Sequence, residues 1–457
     1  MSNEYLEGNF APVTEEVELP CTEVEGTIPR DLAGYFLRTG PNNQFEPIDP
    51  ALYHPFDGDG MIHQIAFADG KATYRNRWVR TPGFLRERKE GKSIWGGFNT
   101  IGKIEAPADM PMKNLSNTAM AVHRGQLLST WEGGSPFEVR LSDLETVGEQ
   151  TWDGGWTQAV TAHPKVDPRT GELIVFCYNP AEAPYVRHGV VDPSGKVVHK
   201  TGIDLQGAPV MVHDMAITKN HSLIFDMPVT FSIERIMNGG KAFDWEPDNG
   251  TRIGVIPRYG EGSETRWFDV DTGYIFHVFN AWEEGDEIVL DACRTIRTTI
   301  LDSEVGQLDE LNARMHRYRL NLTDGSVEEH RVDETPLEFS RINENFVGEK
   351  TRFGYASRFH PERGLLFNAM IKHDREGDHL EVLEMGDTQF NQEIVFAPRM
   401  GSTEEDDGYV IGFVHDESDD HTECWVVDAR RFGDGPVARI HAPRRVPYGF
   451  HSHWAAR

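Results

Sequence analysis

The chain has 457 residues, an ordinary share of apolar residues and a formal net charge of −29. That acidic balance excludes the basic stripes needed to bind nucleic acid, and it opposes stable anchoring on an anionic bilayer. The length would allow several domains, yet an all-β architecture built of many short strands can take such a chain as one unit. Cys21, Cys177, Cys293 and Cys424 show no CxxC spacing, so they suggest neither a zinc site nor a disulfide framework. They read as reduced thiols of a cytoplasmic protein. The opening MSNEYLEGNF lacks the basic and apolar regions of a signal peptide. No uncharged apolar run reaches the length of a membrane-spanning helix.

Taken in order, residues 1–30 form an acidic lead-in that ends at VEGTIPRDL. GYFLRTGPNNQFEP then places Gly34, Gly40 and Pro41 around a short strand. PFDGDGMIHQIAFADGKATYRNRWVRT reads as turn, strand, an Asp69-Gly70 turn and a second strand. The same strand–turn–strand unit recurs in DPRTGELIVFCY, VVDPSGKVVHKT, NLTDGSVEEHRV and HPERGLLFNAMI. APVMVHDMAITKNHSLIFD (Ala208–Asp226) predicts another hairpin, with His213 near the inner end of its first strand. Helical periodicity is confined to Gly83–Gly91, Phe231–Asn238 and Gly306–Met315. No Pro/Ser-rich linker divides the chain, and no WD or kelch repeat appears. Regular short strands with Gly/Asp turns predict a single all-β propeller or barrel, with no blade count fixed by the pattern.

Several stretches invite a chemical reading and do not sustain it. DGDG at Asp57–Gly60 resembles the start of a calcium loop, but the twelfth position is Ala68 where a bidentate Glu would be needed. GEGSE at Gly260–Glu264 lacks the lysine and the strand–helix context of a phosphate loop. There is no G-x-S-x-G nucleophile elbow. The acidic runs STEEDDG and HDESDDH read as solvated loops.

Four histidines stand apart. His163, His213, His277 and His451 lie in or beside apolar or aromatic strand-like segments, far apart in sequence. Any one of them alone reads as a packed core residue. Four together are what a metal on the axis of a radially repeated β-fold requires, since neutral imidazoles suit iron, copper, nickel or zinc. Ligating imidazoles are commonly oriented by carboxylates. Glu132, Glu338 and Glu393 lie in apolar, strand-like settings that suit this role.

These segments resemble the carotenoid cleavage oxygenases, a family that includes apocarotenoid oxygenases, lignostilbene dioxygenases and the retinal-pigment-epithelium isomerase. The resemblance runs through EGTIPRDLAGYFLRTGPN, PFDGDGMIHQIAF, NTAMAVHRGQLLSTWEGG, TAHPKVDPRTGEL, VHDMAIT, FHVFNAWEEGDEIVLD and VPYGFHSHW, in the family's order. It implies a seven-bladed β-propeller over 1–457, with short helices and loops capping the face that bears Fe(II). It implies His163, His213, His277 and His451 as the iron ligands, His451 being preferred to His453 because it follows Gly449-Phe450. Glu132, Glu338 and Glu393 match the carboxylates that orient three of those imidazoles, with Glu344 a neighbouring rival to Glu338. Thr118 matches a small residue beside an open iron position. The reaction implied is O2 addition across an electron-rich alkene, giving two carbonyl products without an external reductant.

Substrate choice rests on two positions. Stilbene- and phenylpropene-cleaving members grip a phenol with a Tyr and with a Lys directly before the first of the Glu residues. Here the corresponding residues are Phe98 and Trp131, which offer stacking and apolar contact. The expected substrate is therefore a long apolar conjugated molecule such as an apocarotenoid, with a stilbene or phenylpropene as the alternative. A non-catalytic binding propeller is the reading from another class. Transient membrane contact for substrate uptake is expected, if anywhere, at Met227–Met237.

Overall fold

Asp69 and Gly70 both adopt positive φ, 51° and 71°, the left-handed pair that closes a two-residue hairpin. Through that turn Gly60–Ala68 folds back on Lys71–Trp78, from Ala68 opposite Lys71 to Met61 opposite Trp78. Gly171, Gly195 and Gly325 also take positive φ at the tips of the recurring strand–turn–strand units. The result is a succession of antiparallel sheets. The computed structural model describes residues 3–101, 103–298, 309–377 and 379–457. It divides into two compact units, residues 1–162 with 385–457, and residues 163–384.

The first unit holds a five-stranded sheet in the order Glu18–Pro20, Lys71–Trp78, Gly60–Ala68, Gly34–Pro41, Ser452–Ala456. The last strand of the chain thus pairs with one of the first, His453 opposite Leu37. A four-stranded sheet runs through Ala119–His123, Gln126–Trp131, Gly134–Val139 and Thr146–Glu149. A third sheet runs from Val24–Gly26 through Pro436–His441 and His421–Asp428 to Gly408–Asp416, which also carries Gln389–Asn391 and Val395–Pro398. The first and third sheets bury a common core that includes Phe36, Ile65, Tyr74, Ile411, Phe413 and Val426.

Among the described residues, the second unit contains three sheets of four antiparallel strands, formed within Lys165–Ile203, Ala216–Asp269 and Tyr274–Arg331, and four further antiparallel strands within Leu337–Glu384 that belong to a larger sheet. A two-stranded ribbon, Val229–Phe231 paired with Phe243–Trp245, is an insertion within the second of these. Alternating apolar residues such as Ile174, Phe176, Ile224 and Ile256 interlock the first two sheets. Buried charge joins them too. Arg258 donates to Asp167 (Nη1 to Oδ2 2.5 Å), and both side chains are nearly inaccessible. Asp291 likewise receives Arg317 at 2.7 Å from its own sheet and Arg375 at 2.8 Å from the next. Such pairs are costly to break because the surviving charge stays buried.

Two of the predicted helices form, Pro82–Glu90 and the short helix Ile233–Met237. Thr81 caps the first by accepting the Phe84 N–H, and Gly91 ends it in the left-handed conformation. In the third stretch, residues 306–308 lie outside the described residues. Asp309–Leu311 is a 3-10 turn, and a strand begins at Arg314, so the helical reading fails there. Arg314–Asn321 alternates buried and less buried residues along most of its length, and that period of two overrides the local helical tendency. No described helix is long and apolar enough to cross a membrane. Within Met227–Met237, Met227 and Val229 are buried, while Ile233 and Met237 are exposed. Asp57 and Asp59 form a turn without any calcium-loop pattern. Asp57 accepts the Phe98 N–H at 2.7 Å, and buried Asp59 pairs with half-buried Lys113 at 2.6 Å.

Backbone contact holds the segment before His451 in place. Thr39 N–H donates to the His451 carbonyl at 3.0 Å, and Phe450 N–H donates to the Thr39 carbonyl at 2.9 Å. Gly40 faces Gly449 so closely that a Cβ on Gly40 would fall 2.5 Å from the Gly449 Cα. Gly40→Ala is expected to cost about 1–3 kcal/mol through this overpacking. A thermal melt of the variant should show a lowered Tm, and an unchanged Tm would refute the close-approach argument.

Candidate metal centre

Three imidazoles converge inside the second unit. His163 Nε2 lies 3.1 Å from His213 Nε2, which lies 3.2 Å from His277 Nε2. The ring centroids are 4.7–5.1 Å apart and the planes cross at 67–78°. His163 and His277 are buried and His213 is half-buried.

The local backbone explains how the rings reach one point. His163 precedes the two-residue strand Lys165–Val166, and His213 precedes Ala216–Ile217. The expected hairpin is present, with Ala216 opposite Leu223, but His213 stands ahead of its strand rather than in it. His277 is within Tyr274–Glu284, where the register shifts on both sides of Val278. All three therefore sit where the ladder is irregular. An irregular backbone can aim a side chain in a direction that a pleated strand would not allow.

Asp214, which the sequence reading passed over, ties the three segments together. Its carboxylate accepts the Val278 N–H at 3.0 Å, next to His277, and pairs with Lys165 Nζ at 2.7 Å, two residues after His163. It also accepts the Met215 N–H at 2.7 Å. Asp214 is 1% exposed. The signal available in sequence was a charged residue directly after a histidine in the otherwise apolar stretch Val210–Ile217.

Glu338 fixes the state of one ring. Its Oε2 accepts a hydrogen bond from His277 Nδ1 and another from the Phe339 N–H. An ionised carboxylate can only accept, so His277 carries its proton on Nδ1 and turns the Nε2 lone pair toward the other two rings. Phe339 adopts φ 57°, strained for a residue with a side chain, at a register shift between Glu338 and Arg341. That strain turns the Phe339 N–H toward the carboxylate and stacks its ring on His277 at 5.4 Å. The rival Glu344 pairs with Arg341 at 3.1 Å on the surface.

With His213 Nε2 at 3.1 Å and 3.2 Å from the Nε2 atoms of His163 and His277, the three nitrogens cannot all present lone pairs to one another without repulsion. A shared cation removes that conflict. Metal–nitrogen bonds of about 2.0–2.1 Å place neighbouring ligand nitrogens about 3.0–3.3 Å apart. The donor set therefore fits a transition metal held by neutral nitrogens, and Phe276, at 5.6 Å from His213, provides an apolar wall beside it.

The remaining predicted residues belong to the first unit. His451 directly precedes Ser452–Ala456, and its Nδ1 lies 3.0 Å from Glu393 Oε1. Glu393 is 2% exposed and also accepts the Ser452 N–H. His451 and Glu393 thus repeat the arrangement of His277 and Glu338. The Thr118 carbonyl accepts the His451 N–H at 3.4 Å, while its hydroxyl donates to Asn117 Oδ1 at 2.9 Å. Phe98 stacks on His54 at 5.1 Å. It continues through Phe56 at 6.4 Å to Phe450 at 5.4 Å from Phe56, next to His451. Burial pushes the carboxyl of Asp57, which anchors the Phe98 and His54 backbone N–H groups, up to about 6. Trp131 and Glu132 are half-buried at the end of Gln126–Trp131, the indole lying over Gly133 and Gly134. His453 lies in the last strand, buried, opposite Leu37.

Comparison with known proteins agrees over the whole chain. The family described as "Retinal pigment epithelial membrane protein" matches residues 10–456. The carotenoid 9,10(9',10')-cleavage dioxygenase 1 of Pisum sativum is 36% identical over 493 residues, covering 99% of this chain and 90% of that protein. Isoeugenol monooxygenase of Pseudomonas putida is 31% identical over 471 residues, covering 99% and 98%. The crystal structure of Pseudomonas brassicacearum lignostilbene dioxygenase superimposes with a TM-score of 0.91 at 30% identity, covering 100% of this chain and 99% of that one.

Asp214→Asn keeps the shape of the side chain and removes the charge that Lys165 faces. It is expected to cost about 2–3 kcal/mol, below the roughly 3–5 kcal/mol of a fully buried pair because Lys165 is partly exposed. The variant should also retain less of an added divalent transition metal on dialysis than wild type. Unchanged Tm together with unchanged metal retention would remove Asp214 from this role.

Proposed function

The chain belongs to the retinal pigment epithelial membrane protein family, which takes in carotenoid cleavage dioxygenases and isoeugenol monooxygenase, and we propose that it opens an apolar conjugated alkene. It is a dioxygenase-type enzyme that uses O2 to cleave a carbon–carbon double bond. The observation that carries the reading is the convergence of the His163, His213 and His277 Nε2 atoms. In this reading those three, with His451, hold Fe(II). The recurrence of antiparallel sheets of about four strands, in both units, supports the seven-bladed propeller as the finer description of the fold.

Iron(II) in such a site supplies the chemistry of activating O2 for addition across a double bond, which then parts into two carbonyl groups. The work of the chain's own residues follows from their contacts. Glu338 and Glu393 keep their imidazoles protonated on Nδ1 and make the opposite nitrogen the donor. Asp214 holds the three segments of the second unit in one arrangement. Four neutral nitrogens would leave a bound Fe(II) its full positive charge for that chemistry. Thr118 is the small residue set beside the ion in this reading. Glu132 orients a further imidazole.

For the substrate, the aromatic run His54, Phe56, Phe98 and Phe450 offers π-faces and apolar area, and Trp131 adds another face. Neither Phe98 nor Trp131 can polarise a phenol as a Tyr/Lys pair would. An apolar polyene such as an apocarotenoid therefore fits better than a 4-hydroxystilbene or a phenylpropene. Ile233 and Met237, exposed on one short helix, are a small apolar point for transient contact with a neutral lipid surface during uptake.

Iron(II)-loaded protein offered an apocarotenal and a 4-hydroxystilbene side by side should release aldehydes from the polyene, read by mass spectrometry. Aldehydes from the stilbene alone would reverse the choice of substrate. His213→Ala and His277→Ala should each abolish turnover and iron binding; turnover like wild type in either would defeat the ligand assignment. Cosedimentation with neutral liposomes should fall in Met237→Ser, and equal sedimentation with and without liposomes would dispose of the lipid contact.

A further inference from the structure

We infer that a second metal site, independent of the iron ligands, lies on the third sheet of the first unit: His421, Glu423 and His441 form a three-ligand site for Zn(II) or a similar divalent transition metal. His421 closes the acidic run HDESDDH, which none of the alkene-cleaving machinery uses. It begins the strand His421–Asp428, so His421 and Glu423, two residues apart, project from the same side. Glu423 stands directly opposite His441 at the end of Pro436–His441. Cross-strand neighbours of this kind bring their Cβ atoms within about 4.5–5.5 Å. Strand pairing alone thus collects two imidazoles and a carboxylate on one patch. The alternate residues Thr422 and Cys424 turn into the core and are buried.

The side chains are arranged as ligands. One donor atom from each of the three lies within 4.8 Å of the other two. His441 Nε2 is 3.4 Å from Glu423 Oε1, close to the roughly 3.3 Å between two ligand atoms on a tetrahedral zinc ion. The imidazoles lie side by side at a tilt, with centroids 4.6 Å apart and planes inclined by 34°. Trp425 Nε1 donates to Glu423 Oε2 at 2.6 Å, which fixes the carboxylate and leaves Oε1 to face the histidines. That is the orienting hydrogen bond that metal-binding carboxylates usually carry.

A second observation points to a ligand. The Nε2 of His421 is buried, and among the described residues it has no hydrogen-bond partner. A buried ring nitrogen normally has one. A bound cation would give it one.

The surroundings favour a cation on balance. The turn into His421 carries Asp416, Glu417, Asp419 and Asp420. Two positive groups are nearby: Arg445 lies 3.7 Å from Asp420, and Arg439 covers the Trp425 ring at 4.6 Å. Two imidazoles and one carboxylate, with a fourth position left to water, suit zinc, whereas calcium and magnesium require a shell of oxygens. Bound metal would cross-link His421–Asp428 to Pro436–His441, the strand that carries Val24–Gly26 on its other edge.

The test uses the iron-loaded protein, dialysed against low-micromolar Zn(II) and analysed for zinc by mass spectrometry. Wild type should hold one zinc per chain more than His421→Ala, His441→Ala or Glu423→Gln, with affinity at this site at least about 100-fold weaker in each variant. Because the variants leave the iron ligands untouched, zinc entering the iron site cancels in the difference. Zinc should also raise the Tm of wild type and not that of the variants. Equal zinc content in wild type and variants would overturn the site. Should an alanine variant misfold, Glu423→Gln, which keeps the shape and the Trp425 hydrogen bond, decides with Co(II) as the probe. Loss of visible bands relative to wild type supports the site, and identical spectra refute it.

Discussion

The arrangement on which the rest of the second unit depends is the approach of His213 Nε2 to 3.1 Å from His163 Nε2 and 3.2 Å from His277 Nε2. Left to themselves, neutral rings with lone pairs facing one another would turn apart. Two features hold them together. Glu338 binds the far side of His277 and settles its tautomer, and Asp214 bonds to the segments of all three. The rigid sheets behind them, stitched by Asp167–Arg258 and by Asp291 with Arg317 and Arg375, leave those segments little freedom to relax. The cost of that preorganisation appears as a strained Phe339 and as breaks in the ladder around Val278. A metal held by the cluster would offset that cost, which is why the donor set reads as a metal centre rather than as a chance group of core histidines.

The same logic recurs in the first unit. His451 leaves the end of a segment fixed by Thr39 and by the contact of Gly40 with Gly449, and Glu393 meets its Nδ1. In both units a carboxylate turns an imidazole into a one-directional donor. Aromatic rings stand beside each, Phe276 and Phe339 in one unit and Phe450 with Phe56 and Phe98 in the other. Apolar surroundings strengthen local electrostatics and suit a conjugated hydrocarbon. A carotenoid cleavage dioxygenase and an isoeugenol monooxygenase each match this chain along almost its whole length, at 36% and 31% identity.

Outside that machinery, the patch of His421, Glu423 and His441 shows how readily a β-sheet makes a second donor set. Alternation along one strand and register with the next supply the geometry, and Trp425 supplies the orientation. It differs from the three-imidazole cluster in its carboxylate ligand, and its donors come from two neighbouring strands, so its role is to tie strands rather than to turn over an alkene.

The amino-acid sequence by itself determined the strands and their turns, because a period of two and left-handed Gly or Asp at the tips are local properties. Asp69-Gly70 and the hairpin at Ala216–Ser222 follow directly from them. It also singled out the histidines and Glu338 and Glu393, since polar residues in apolar strands are costly unless they have partners. Pattern alone did not place His213 ahead of its strand, choose Glu338 over Glu344, or turn the chain from helix to strand at Arg314. Nor did it reveal Asp214 as the residue binding three segments, or bring His421 to His441. Each of those depends on which residues meet across strands far apart in the chain. Only the register of neighbouring strands, set by packing of their buried faces, decides such meetings.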